Sequence, residues 1–172
     1  MLALAVCAAA LVSACGTMGG KAGASADIAP TAAMSPNPTT GKVSFTALEH
    51  GVRIAGEVRG LAPGTEHGFH IHEMGSCANN GDAAGGHFNP AGGTHGKFAA
   101  PGNHAGDLPS LVADASGSAR FSFEDHSLSM TDGAANNVIG RALVVHRDRD
   151  DFTSQPAGNS GARIACGVIV RN

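Results

Sequence analysis

The chain of 172 residues has no Trp and no Tyr, and aromatic residues make up only 4% of it. Flat rings on which nucleic-acid bases could stack are therefore scarce. Lys and Arg together number 11 against 14 Asp and Glu, a formal net charge of -3, and charged residues amount to only 15%. The basic surplus that a nucleic-acid binder needs is absent. No run is long enough to span a bilayer: the apolar stretch at residues 1–14 is too short for a membrane helix. There is no internal repeat, and no segment carries the apolar period of a helix longer than a turn. What the chain does have is 25 Gly, an apolar content of 42%, and nine His. Glycine on that scale favours turns over helices. Imidazole is the commonest metal ligand among side chains.

Residues 1–14, MLALAVCAAALVSA, read as the apolar region of an export signal. The ending Val12-Ser13-Ala14-Cys15 resembles a bacterial lipoprotein box, which implies cleavage before Cys15 and lipidation of that cysteine. No Lys or Arg precedes the run, so a plain secretory signal, or none, stays open. The remaining cysteines fit export. With Cys7 removed and Cys15 lipidated, Cys77 and Cys166 are left, and an oxidising compartment favours a disulfide between them over two buried thiols. That bond closes a loop of about 90 residues, worth about 4–5 kcal/mol in the chain-entropy account. Residues 15–41, the cysteine and a Gly, Ala, Ser, Thr and Pro-rich stretch, read as a flexible tether. Residues 42–172 read as one folded domain.

From Lys42 the pattern becomes that of short strands. Val43, Phe45 and Ala47 alternate with Ser44 and Thr46, and Val52, Ile54, Gly56 and Val58 alternate with Arg53, Ala55, Glu57 and Arg59, which predicts a hairpin with one apolar face. Further strands are expected at 68–72, 111–114, 119–124, 138–146 and 163–170. The pattern implies an all-β, antiparallel sandwich or barrel of about eight strands. Two long irregular segments interrupt it, 73–109 and 147–162. Loops of such length in a compact domain are usually functional.

The histidines fall on these features. His70 and His72 flank Ile71 at strand spacing, so both imidazoles point to one face. Side by side in a core each needs a polar partner, and one metal ion serves both. The first long loop carries His87, His95, His104 and Asp107, three imidazoles and a carboxylate, a complete donor set for tetrahedral zinc. An ion there cross-links the loop and offsets its ordering entropy. His146 closes the apolar run Ala142-Leu143-Val144-Val145. His50, His67 and His126 have no such company and read as surface histidines.

Taken in order, the segments Gly68-Phe69-His70-Ile71-His72-Glu73, Gly85-Gly86-His87-Phe88-Asn89-Pro90, His95-Gly96, His104-Ala105-Gly106-Asp107-Leu108, Ile139 to His146, and Gly161-Ala162-Arg163-Ile164-Ala165-Cys166-Gly167 resemble the bacterial copper/zinc superoxide dismutases, over about Val43 to Val170. The resemblance implies an eight-stranded Greek-key fold with two functional loops. It implies copper held by His70, His72, His87 and His146, and zinc held by His87, His95, His104 and Asp107, one of each per subunit, with His87 bridging. It implies that Asp150 links His70 to His95 from behind, that Cys77 and Cys166 form the family disulfide, and that Arg163 orients the anionic substrate. Asp150 taken alone, in an Arg/Asp run, reads as a surface charge.

The implied reaction is dismutation of superoxide to dioxygen and hydrogen peroxide by a Cu(II)/Cu(I) cycle, with His87 taking and returning a proton. Arg147 and Arg149 are further candidates for steering the anion, although both sit among aspartates. The alternative is a nonenzymatic copper/zinc-binding envelope protein with the same fold; a purely structural envelope lipoprotein leaves the histidines unexplained. The expected location is the periplasm or cell envelope, with the membrane reached through the lipid at Cys15 alone. No nucleic-acid partner is expected. The family includes monomers and dimers, so a homodimer is left open.

Overall fold

The computed structural model describes residues 23–31 and 38–172; the export segment and Cys15 lie outside them. Among the described residues there are ten antiparallel strands: β1 (Gly23–Pro30), β2 (Thr40–Ala47), β3 (Val52–Arg59), β4 (Glu66–His67), β5 (Phe69–His72), β6 (Leu111–Val112), β7 (Ala119–Asp125), β8 (Ala142–His146), β9 (Arg163–Val168) and β10 (Val170–Arg171). One sheet of eight strands runs β5-β8-β9-β1-β2-β3-β7, with β10 also paired to β1, and curls into a half-barrel. β4 and β6 form a separate two-stranded sheet. Among the described residues the only helical turn is a 3-10 segment at Asn79–Ala84.

The strands follow from alternation. Val43 and Phe45 of β2, and Val52, Ile54 and Val58 of β3, point into one core, which Phe69 and Ile71 of β5 and Leu143 and Val145 of β8 complete. β8 is apolar from Ala142 to Val145 because both its faces are covered. Ala142 and Val144 face away from the main core and pack with Ala84, Cys166 and the half-buried Cys77, beneath the first long loop.

β1 corrects the tether expected over 15–41: residues 23–30 are an integral strand. Ala24, Ala26 and Ile28 are buried, while Asp27 is exposed. The strand pairs with β2 from Gly23 to Ile28 and with β9 at Ala29 and Pro30. Its inward residues are mostly alanine, so its period is hidden in a composition that also suits a linker.

Candidate metal centre

β5 sends alternate side chains to opposite faces. Phe69 and Ile71 go into the core, and His70 and His72 go to the side covered by the first long loop. The loop is stitched to that strand. Ile71 N donates to Gly106 O at 2.9 Å, Phe88 N to Ile71 O at 2.8 Å, and Gly106 N to Phe88 O at 2.9 Å. Isolated bridges then set His87 opposite His72 and Asp107 opposite His70. Gly106 is required here, because an added Cβ would run into the Ile71 carbonyl. His146 arrives from β8 at a register shift, with its N–H donating to Gly68 O at 2.9 Å.

Two groups of buried donors result, each with its donor atoms within 4.8 Å of one another: His70, His72, His87 and His146; and His87, His95, His104 and Asp107. The hydrogen bonds fix which nitrogens are bare. His72 Nδ1 donates to Gly85 O at 2.9 Å and His146 Nδ1 to Gly161 O at 3.1 Å, leaving two Nε2 lone pairs facing each other at 3.4 Å. His70 Nε2 donates to Asp150 Oδ2 at 2.7 Å, and its Nδ1 is buried with no partner. His87 Nε2 is likewise buried and unpartnered, while its Nδ1 lies 2.8 Å from Asp107 Oδ1 and 3.5 Å from His104 Nδ1. Lone pairs converging in a dry pocket repel unless a cation lies among them, so the residues fit bound metal. Four imidazole nitrogens suit copper, and three with a carboxylate suit zinc.

Burial and charge tell the same story. Burial pushes His70 down to about 4 and His146 to about 3, and His72 well below the ordinary imidazole range, so these rings stay neutral as ligands must. His104 is lowered by burial as well. Burial pushes His95 the same way, but hydrogen bonds to Asp107 and Asp150 win and raise it to about 9. A proton on His95 then does what a cation would do. Asp107 and Asp150 lose some acidity to burial, yet their hydrogen bonds to histidines keep both well below the carboxylate range.

Asp150 is no surface charge. It is 2% exposed, and it accepts from His70 Nε2 with one oxygen and from His95 Nε2, at 2.9 Å, with the other. Arg163 stands opposite His146 in the β8–β9 ladder. Its guanidinium donates to Gly81 O and Gly85 O, each at 2.7 Å. Cys77 and Cys166 are bonded, Cα atoms 5.7 Å apart, tying that loop to β9 three residues beyond Arg163.

His50 and His126 are exposed as expected, but His67 is not. It is 5% exposed and donates from Nδ1 to His146 O at 2.8 Å, while Thr65 Oγ1 lies 2.7 Å from Nε2. It braces the main chain of His146, a role that no neighbouring motif signals. Arg147 is paired with Asp148 at 2.8 Å. Arg147 and Arg149 line a cavity of about 500 Å³ that no member of the two donor groups lines. Gln155, which no sequence motif singles out, holds the main chain of His95 through both polar atoms of its amide.

A family model described as copper/zinc superoxide dismutase (SODC) matches residues 39–169. A protein named superoxide dismutase [Cu-Zn] 2, from Aquifex aeolicus (strain VF5), is 42% identical over 133 residues, covering 75% of this chain and 78% of its own. An extracellular superoxide dismutase [Cu-Zn] from Brugia pahangi is 39% identical over 138 residues, covering 75% of this chain and 68% of its own. A solved structure of a double mutant of a SOD-like protein from Bacillus subtilis superposes with a TM-score of 0.75 at 36% identity, over 85% of this chain and 96% of that one.

Proposed function

Because the chain belongs to the copper/zinc superoxide dismutase family, we propose that it dismutes superoxide to dioxygen and hydrogen peroxide at a centre bridged by His87. The observation that carries this reading is the division of the His87 ring, with an unpartnered Nε2 on the side of His70, His72 and His146 and Nδ1 on the side of His104 and Asp107. Copper, when held by His70, His72, His87 and His146, supplies a one-electron couple, and zinc, held by His87, His95, His104 and Asp107, supplies fixed positive charge without redox chemistry.

The chain's own residues prepare the rest. The substrate is an anion and the protein carries a net charge of -3, so attraction has to be local. Arg163 provides it. Its partial burial, which lowers its pKa, also weakens screening of the guanidinium, and its two carbonyl contacts hold the head in place beside His146. His87 is placed to accept and return a proton at Nε2. Asp150 fixes the orientation of His70 and His95 from behind, and Asp107 receives the zinc-side imidazoles.

The competing reading, a metal-binding protein of the same fold without activity, gains nothing from Arg163, which a pure metal carrier does not need. The two are separated on one sample. Protein loaded with copper and zinc removes superoxide, and a chelator abolishes the activity; full metal content with no activity overturns the enzyme. We further propose export with a lipid at Cys15, in keeping with relatives named extracellular. Among the described residues no helix is long and apolar enough to cross a membrane. Labelling with a radioactive fatty acid, lost in Cys15→Ser, tests the anchor.

A further inference from the structure

We infer that Gln155 is a positioning residue for the zinc side of the centre, holding the main chain of His95 so that its ring stays aimed at Asp107. The inference rests on the reading of His87, His95, His104 and Asp107 as a zinc site. His95 N donates to Gln155 Oε1 at 2.8 Å, and Gln155 Nε2 donates to His95 O at 2.9 Å. One side-chain amide thus satisfies both polar groups of one peptide residue, as a neighbouring antiparallel strand would. His95 lies in an irregular loop and belongs to none of the named strands. The amide stands in for the missing partner.

The same loop grips the His95 ring. Asp150, five residues before Gln155, takes the ring proton at Nε2, and Gly158 folds the chain back over that bond. Gly158 has φ +63°, and an added Cβ would strike Asp150 Oδ1 and His95 Nε2. The base of the latch is itself fixed, since the Asp151 carboxylate accepts from the N–H of Thr153 and Ser154 and from Asn159 Nδ2. Ring and main chain of a single ligand are therefore held from one segment, and the ligand is set in place before metal arrives. Loss of the clamp frees the backbone of residue 95 while leaving every ligand atom in the chain.

The test compares zinc release from wild type, Gln155→Met and Thr153→Ala, each loaded with zinc and mixed with excess chromophoric chelator. Gln155→Met keeps the length of an exposed side chain without its hydrogen bonds, so the fold is retained. Thr153→Ala removes an exposed hydroxyl from the same loop, leaves the Thr153 N–H on Asp151, and touches neither His95 nor Asp150. Outer partners of metal ligands set affinity by about 10–100-fold, so Gln155→Met is expected to release zinc about tenfold faster. With cobalt in place of zinc, its visible spectrum is expected to shift as the His95 ring turns. Thr153→Ala is expected to release zinc near the wild-type rate. Release from Gln155→Met at the wild-type rate, or equal acceleration in Thr153→Ala, overturns the latch while leaving the zinc site standing. Failure of the wild type itself to take up zinc overturns the site, and the latch with it.

Discussion

Arg163 and His146 are cross-strand partners in the β8–β9 ladder, and the same arginine shares with His72 a single acceptor, the carbonyl oxygen of Gly85. One arginine is thereby linked to two members of one donor group, to His146 through strand pairing and to His72 through a shared carbonyl. The arrangement explains how a weakly acidic protein can present a positive group at this site without a basic surface.

Removal of that group separates attraction from metal binding. Arg163→Ala is expected to keep its copper and zinc and to lose about tenfold in second-order rate, equivalent to about 1.4 kcal/mol. The variant's rate should also depend less on ionic strength. Pulse radiolysis across a salt series, with metal analysis of the same samples, checks this; unchanged kinetics refute the role.

Asp150→Asn replaces one acceptor oxygen by a donor, so it can no longer take protons from both His70 and His95. Zinc affinity is expected to fall by about 10–100-fold with the fold intact. Competition titration against a chelator of known affinity measures it.

The bond between Cys77 and Cys166, 89 residues apart, constrains the unfolded chain. Its loss in a double Cys→Ser variant is expected to cost about 4–5 kcal/mol of stability. The Gly81 and Gly85 carbonyls under Arg163 lie in the segment that this bond ties down, so activity should fall as well. Denaturant unfolding of the metal-free and loaded proteins checks the first effect.

The metal-free protein is expected to be most stable near neutrality. His70 and His146 titrate at about 4 and about 3 when folded, below an unfolded value near 6.5, so the unfolded chain binds more protons and stability falls as pH drops below 6.5. His95 is raised to about 9, so its contribution is complete below 6.5 and is lost as pH rises toward 9. Thermal unfolding without metal from pH 4 to 9 should trace a maximum between the two limbs. A flat profile contradicts the assignment.

Much of the centre was legible because its chemistry is written in residue type and spacing. His70 and His72 two apart on a strand, and the donor-rich loop after them, already point to metal. What escaped the sequence depends on backbone contacts. Gln155 acts on a main chain sixty positions away, and His67 on the carbonyl of His146, neither of which leaves a local pattern. Asp150 in isolation looks like a solvated charge, and only folding brings it between two rings. β1 was hidden for another reason: Ala24 and Ala26 fill its buried positions, and alanine suits a linker as well as a core.

That first strand also shortens the leash. If a lipid sits at Cys15, only the seven residues 16–22 separate it from β1, and seven residues span at most about 25 Å. The enzyme would ride close above the bilayer rather than sweep a wide volume around its attachment point. A recombinant version begun at residue 39, where the family match starts, would lack the stave between β2 and β9 and leave two raw seams open to other molecules.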